Sequence, residues 1–287
     1  MRWMIPAALL LAAGTVTAQA PPDVETVLAR VGERIADYYR RAQNVICTEK
    51  TTVQPVGRDY TPQGFARVTE YELRVETDAD GDSLDAKVVR ELRRVNGKPP
   101  REKDKKDRAG CTDANPLSAE PLAFLLPAHR AEYTFLSGGL GKGKDHNSLI
   151  LDFTSIKPDG KGELSEDPRG HADCFTWSLP VVVKGRVWID ASSYHVLRVE
   201  QRMAGMADLS VPKKIQREHN LDSNVTVERH DTIIRYKTIP FHDPDEAMIL
   251  PESIDTLIVV RGGLESMRSR QTFTDYRRFL TGGRLVK

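Results

Sequence analysis

The chain has 287 residues, 42 of them basic and 41 acidic, with 39% hydrophobic and 29% charged side chains. A charge balance this even excludes a general nucleic-acid binder, which needs a net basic footprint to neutralise phosphates. The apolar content is enough for an ordinary core in one large β-rich domain.

Arg2 precedes an apolar stretch from Trp3 to Ala13, followed by Thr15-Val16-Thr17-Ala18-Gln19-Ala20. A positive charge, a short apolar run and small residues in that order predict a cleavable signal peptide over residues 1–18. Cleavage after Ala20 also satisfies the small-residue rule, but it leaves Pro21 at the cut. The run is shorter than the roughly 20 apolar residues that a resident span needs. No cysteine precedes Cys47, so no lipidation site follows the signal, and no later segment approaches membrane-spanning length. The expectation is a periplasmic or secreted protein that does not span the membrane, with residues 21–287 as a single domain. Only Arg2 leaves with the signal, so 41 basic residues then face 41 acidic ones.

After Pro21-Pro22, Asp23 is placed to cap a helix. Its apolar residues Val24, Val27, Leu28, Val31, Ile35, Tyr38 and Tyr39 share one face to about Ala42. The period then changes to two. In the segment 65–76, Tyr71, Leu73 and Val75 alternate with charged residues, which predicts a half-buried strand. A second strand over Lys87–Val95 closes on Asn96-Gly97. The charge-dense stretch from Lys98 to Arg108 reads as a solvated loop. Ser118 to Leu126 offers a short apolar helix stopped by Pro127. From Glu132 on, strands dominate: 133–136, 149–153, 181–190, 194–203, 225–236, 254–260 and 266–279. Their short separations suit antiparallel neighbours and leave no room for crossover helices.

Local signatures of chemistry are sparse, and no catalytic residue, metal site or cofactor is predicted. Gly138 to Lys144 imitates a phosphate-binding loop, but Asp145 follows where Ser or Thr should hold magnesium, and a strand follows where a helix should begin. A glycine-rich hairpin fits better. The pair His171 and Cys174, and the group His242, Asp243, Asp245 and Glu246, lack the second pair that a four-ligand zinc site requires. No Gly-x-Ser-x-Gly elbow occurs, although two carboxylates brought together by the fold would leave no local spacing to read. Three cysteines in an oxidising compartment imply one disulfide and one free thiol. Spacing does not choose among the pairings; Cys111 with Cys174 is preferred because both lie in polar, loop-like stretches.

The segment Val181 to Glu200 is distinctive. Val187 and Ile189 point one way and Trp188 the other, so this hairpin is apolar on both faces at its centre. Gly185-Arg186-Val187-Trp188-Ile189-Asp190, with Val196-Leu197-Arg198-Val199-Glu200, resembles the central hairpin of the periplasmic lipoprotein-carrier (LolA/LolB/RseB-like) superfamily. Val45 to Glu49, Val95-Asn96-Gly97, Pro121 to Pro127 and Tyr276 to Phe279 extend a closer resemblance, to a secreted bacterial family, over residues 24 to 284. The long polar insertions at 98–113 and 159–173 depart from the compact carrier pattern. The resemblance implies an α+β, β-rich fold: a large curved antiparallel sheet, a half-open barrel, wrapped around the N-terminal helix and a short second helix. In the carriers the concave face holds lipoprotein acyl chains.

The expected function is therefore non-enzymatic binding of a lipid or other apolar ligand, with Phe124, Leu125, Trp188 and Val196 as candidate lining. Such a ligand needs buried area, worth roughly 25 cal/mol per Å², more than chemistry. The alternative is an interaction or regulatory module with an envelope protein partner, using a strand edge or the basic loop. An unrecognised hydrolase is the third reading.

Overall fold

The computed structural model describes residues 23–41, 45–76, 87–102, 104, 120–141, 147–158, 162–166, 175–242 and 245–278. The expected signal peptide and the Cys111–Cys174 pairing lie outside them. Helix α1 (Val24–Arg41) begins where the Asp23 carboxylate accepts the Thr26 N–H at 2.9 Å and the Thr26 hydroxyl at 2.6 Å. That satisfies donors the first turn cannot pair internally. Val27, Leu28, Val31 and Ile35 form its buried stripe.

The strands are β1 (Val45–Pro55), β2 (Arg67–Glu76), β3 (Lys87–Val95), β4 (Tyr133–Leu140), β5 (Ser148–Ser155), β6 (Leu164–Glu166), β7 (Phe175–Trp177), β8 (Val183–Asp190), β9 (Val196–Met203), β10 (Ala207–Ser210), β11 (Asn224–His242), β12 (Asp245–Arg261) and β13 (Met267–Arg278). A 3₁₀ segment, Glu120–Leu125, precedes β4, and helix α2 (Lys213–His219) precedes β11. Eleven strands form one sheet in the order β3-β2-β1-β13-β12-β11-β9-β8-β5-β4, with β10 added on β11. Every pairing within it is antiparallel, and its edges β3 and β4 do not pair, so the sheet stays open. The short β6–β7 hairpin stands apart.

The inward-facing residues of nine strands join α1 and the 3₁₀ segment in one apolar cluster, as expected of a sheet wrapped around its helices. A second cluster gathers Leu164, Leu209, Ile215, Val225 and Val227 beneath α2. Both clusters draw on the long hairpin β11–β12. The turn after β12 requires glycine at Gly262, where φ is +99° and a Cβ would lie 2.5 Å from the Asn224 carbonyl oxygen.

The strand β1 escapes a hydrophobic reading because its inward positions run Val45, Cys47, Glu49, Thr51, turning polar halfway along. Glu49 is fully buried there and accepts hydrogen bonds from Arg90 Nε (2.8 Å), Gln271 Nε2 (3.0 Å) and Thr51 Oγ1 (3.1 Å). The strand β12 begins nine residues before the sequence places it, because Pro251 interrupts the pattern. That proline sits at a register shift, where a missing N–H is tolerated. The apolar helix expected at 118–126 is the 3₁₀ segment, and the glycine-rich stretch joins the antiparallel pair β4–β5 as a hairpin, with Gly138-Gly139 still within β4 at a bulge. Among the described residues, no helix is long and apolar enough to cross a membrane.

Candidate functional site

The seam between α1 and the concave face of the sheet carries a small cleft. From the helix come Arg34, Ile35 and Tyr38; Leu122 adds the 3₁₀ segment, and Val196, Tyr236 and Ile249 supply the sheet side, with His195 at the start of β9. Its cavity volume of about 20 Å³ holds one water molecule. The floor is neutral: burial raises the phenols of Tyr38 and Tyr236 well above their ordinary range. Cys47 lies deeper, a buried free thiol that burial pushes up to about 12, too high for nucleophilic or redox reactivity.

The rim is built by the β8–β9 turn. Asp190 Oδ1 accepts the Ser192 and Ser193 hydroxyls at 2.6 and 2.9 Å, and also both backbone N–H groups. Burial alone would raise this carboxyl, but those four donors outweigh it and hold it at about 2. Tyr194 takes a left-handed φ of 60° to complete the turn. The turn places the Ser193 carbonyl to accept Arg34 Nε at 3.0 Å and sets His195 over the cleft. The serines are thus committed to the turn aspartate.

Burial, then Arg34, lowers the His195 pKa from 6.5; Asp190 opposes them, Arg41 adds to the lowering and Asp37 opposes it. A folded-state value below the unfolded one makes the contribution to stability present above pH 6.5 and lost as pH falls through the folded value. His230, lowered by burial, acts in the same direction. Thermal melts from pH 8 to 5 should show stability falling on the acid side, by about 1.4 kcal/mol for every tenfold by which folding weakens proton binding at the imidazole. His195→Gln should flatten that dependence. An unchanged acid limb in the variant would remove His195 from the account.

The four sequence candidates divide. Val196 lines the cleft. Leu125 is fully buried in the main cluster, and the Phe124 ring lies 4.5 Å from that of Phe153 and 5.5 Å from that of Tyr133. Trp188 faces away from all of these, on the outer side of the sheet, with the Arg198 guanidinium 4.5 Å and the Arg186 guanidinium 5.9 Å from its ring. Its cover is therefore cationic, a cation–π stack continued by the Arg186 pair with Asp152. Sequence reasoning missed Arg34, Ile35, Tyr38, Leu122, His195, Tyr236 and Ile249. The polar members carry no spacing signal, and the apolar ones read as ordinary core.

Glu246, one of the acidic residues near His242, is committed to Arg41 and Arg278. Glu166, Glu218 and His219 bring donor atoms within 4.8 Å of one another. There the Lys214 ammonium already bridges both carboxylates, at 3.0 and 3.7 Å. His171 and Cys174 lie outside the described residues.

No family model and no curated protein matches the chain. Among solved structures it is similar to a domain assigned to outer membrane lipoprotein sorting from Vibrio parahaemolyticus, with a TM-score of 0.38 and 12% identity over 91% of this chain and 96% of that one. It is also similar to a DUF1329 family protein from Desulfovibrio piger (0.43, 12%, 91% and 95%) and a LolA superfamily protein from Nitrosomonas europaea (0.32, 10%, 88% and 94%). Each is a likeness of outline.

Proposed function

We propose that the protein is an extracytoplasmic, non-enzymatic binding protein that takes a lipid or other apolar ligand between α1 and the concave face of the sheet. The observation that carries this reading is the cleft at that seam: an apolar lining, continuous with the main cluster, that opens at the surface. Among the described residues, the hydrogen bonds that tie the helix to its surroundings run through side chains. Arg130 reaches the Leu28 and Leu125 carbonyls, Arg34 reaches Ser193, and Arg41 reaches Glu246. Apolar packing is non-directional, so an acyl chain can replace helix–sheet contacts with contacts of the same kind as the seam parts.

Native mass spectrometry of the full chain purified from its own host tests this. A lipid-sized adduct that disappears on delipidation is expected; identical masses before and after would overturn the reading.

A second reading, an interaction module for an envelope partner, is favoured by apolar residues held in water. Phe65 is 98% exposed, and Leu136 on the edge strand β4 is 69% exposed. In-cell crosslinking through position 65 should then yield one dominant protein adduct.

A further inference from the structure

The rim of the cleft has an electrostatic character of its own. Arg34 uses only its Nε, on the Ser193 carbonyl, and among the described residues no carboxylate pairs with it. The other charged groups facing His195 are engaged. On α1, Arg41 binds Glu246 at 2.7 Å and Asp37 at 3.6 Å. On β8, Asp190 is held by the turn serines. A guanidinium with no carboxylate partner among the described residues therefore stands beside a half-buried imidazole at the mouth of an otherwise apolar cleft. An anionic head group on a hydrocarbon tail complements that arrangement: oxygen acceptors for the guanidinium and the imidazole N–H, methylene groups for the floor.

Resting on the reading that the seam takes an apolar ligand, we propose that the ligand is an acyl chain ending in an anionic head group, held between Arg34 and His195 with its tail directed toward Ile35, Val196 and Ile249. Carboxylate and phosphate heads share the required chemistry. An anion at this position also favours the imidazolium form, so binding takes up a proton. Affinity then rises as pH falls toward the free protein's His195 value, which burial and Arg34 hold below the ordinary imidazole range.

The test is titration calorimetry of the full chain with dodecanoate, dodecyl phosphate and dodecyltrimethylammonium, each below its micellar concentration. At least one anion is expected to bind about tenfold tighter than the cation, and the stronger of the two anions identifies the head group. Arg34→Gln, an exposed position whose change spares the core, should erase that preference while leaving the tail contribution. Repeating the anion titration in buffers of different ionisation enthalpy should show proton uptake, abolished in His195→Gln. Equal binding of anions and cation, or a preference untouched by Arg34→Gln, would overturn the head-group assignment and leave the apolar-ligand reading standing. Binding of none of the three would overturn both.

Discussion

Alanine at Glu49 is expected to destabilise the fold by about 3–5 kcal/mol, which for a domain of this size lowers Tm by roughly 5–10 °C. The side chain is 2% exposed and its main partner, Arg90, 17%. Arg90 reaches it from the edge strand β3 across β2, making two contacts, Nε to Oε2 at 2.8 Å and Nη2 to Oε1 at 3.3 Å. Removing the carboxylate takes both of these contacts from the guanidinium and leaves the Gln271 amide and Thr51 hydroxyl short of an acceptor. Desolvation of the orphaned groups, more than loss of the attraction itself, sets the cost. The double variant Glu49→Leu with Arg90→Met, which removes both charges, should therefore recover most of the loss. Thermal and urea melts decide it, and a single Glu49→Ala that melts within about 2 °C of the parent would show that the pair is dispensable.

Valine at Gly185 should be at least as damaging, about 3 kcal/mol or more. A Cβ on this residue would lie 2.0 Å from the Glu200 carbonyl oxygen and 2.6 Å from Cζ of Phe153. The first contact is with backbone of the neighbouring strand β9. The second is with a ring in the Phe124, Tyr133 and Phe153 group beneath the 3₁₀ segment. Alanine already carries the offending atom, so Gly185→Ala should show much of the loss. Shrinking the ring with Phe153→Leu should not restore it, because the carbonyl stays in place. A Gly185→Ala protein with an unshifted midpoint would mean that β8 and β9 can separate slightly at no cost.

The large antiparallel sheet was legible because strands β2, β3, β5, β8, β9 and β13 alternate apolar and polar residues or carry a continuous apolar run, and the spacing between strands excludes crossovers. The helix α1 was legible from its stripe of Val27, Leu28, Val31 and Ile35. The first strand was hidden by its polar inward half, and the first half of β12 by Pro251. The seven-residue α2 falls short of two clear apolar periods, with Ile215 its one buried residue. The site was legible only at Val196. Arg34 lies just beside the apolar stripe of α1, where a solvated arginine is the ordinary finding, and His195 acquires meaning only when the β8–β9 turn brings it under the helix. Trp188 shows the converse: its sequence neighbours announce burial, but not that the burial is beneath two guanidinium groups. Hydrophobic alternation reports which side of a sheet a residue faces, while what covers that side is decided by strands distant in the chain.

The hairpin β11–β12 runs through both hydrophobic clusters, 19 residues out and 17 back. Neither cluster can be cut free without severing strands that the other also uses. The molecule should accordingly melt in one step, with calorimetric and van't Hoff enthalpies in agreement. Limited proteolysis should trim exposed connections without releasing a stable half, and amide protons near the middle of that hairpin should be the last to exchange with deuterium.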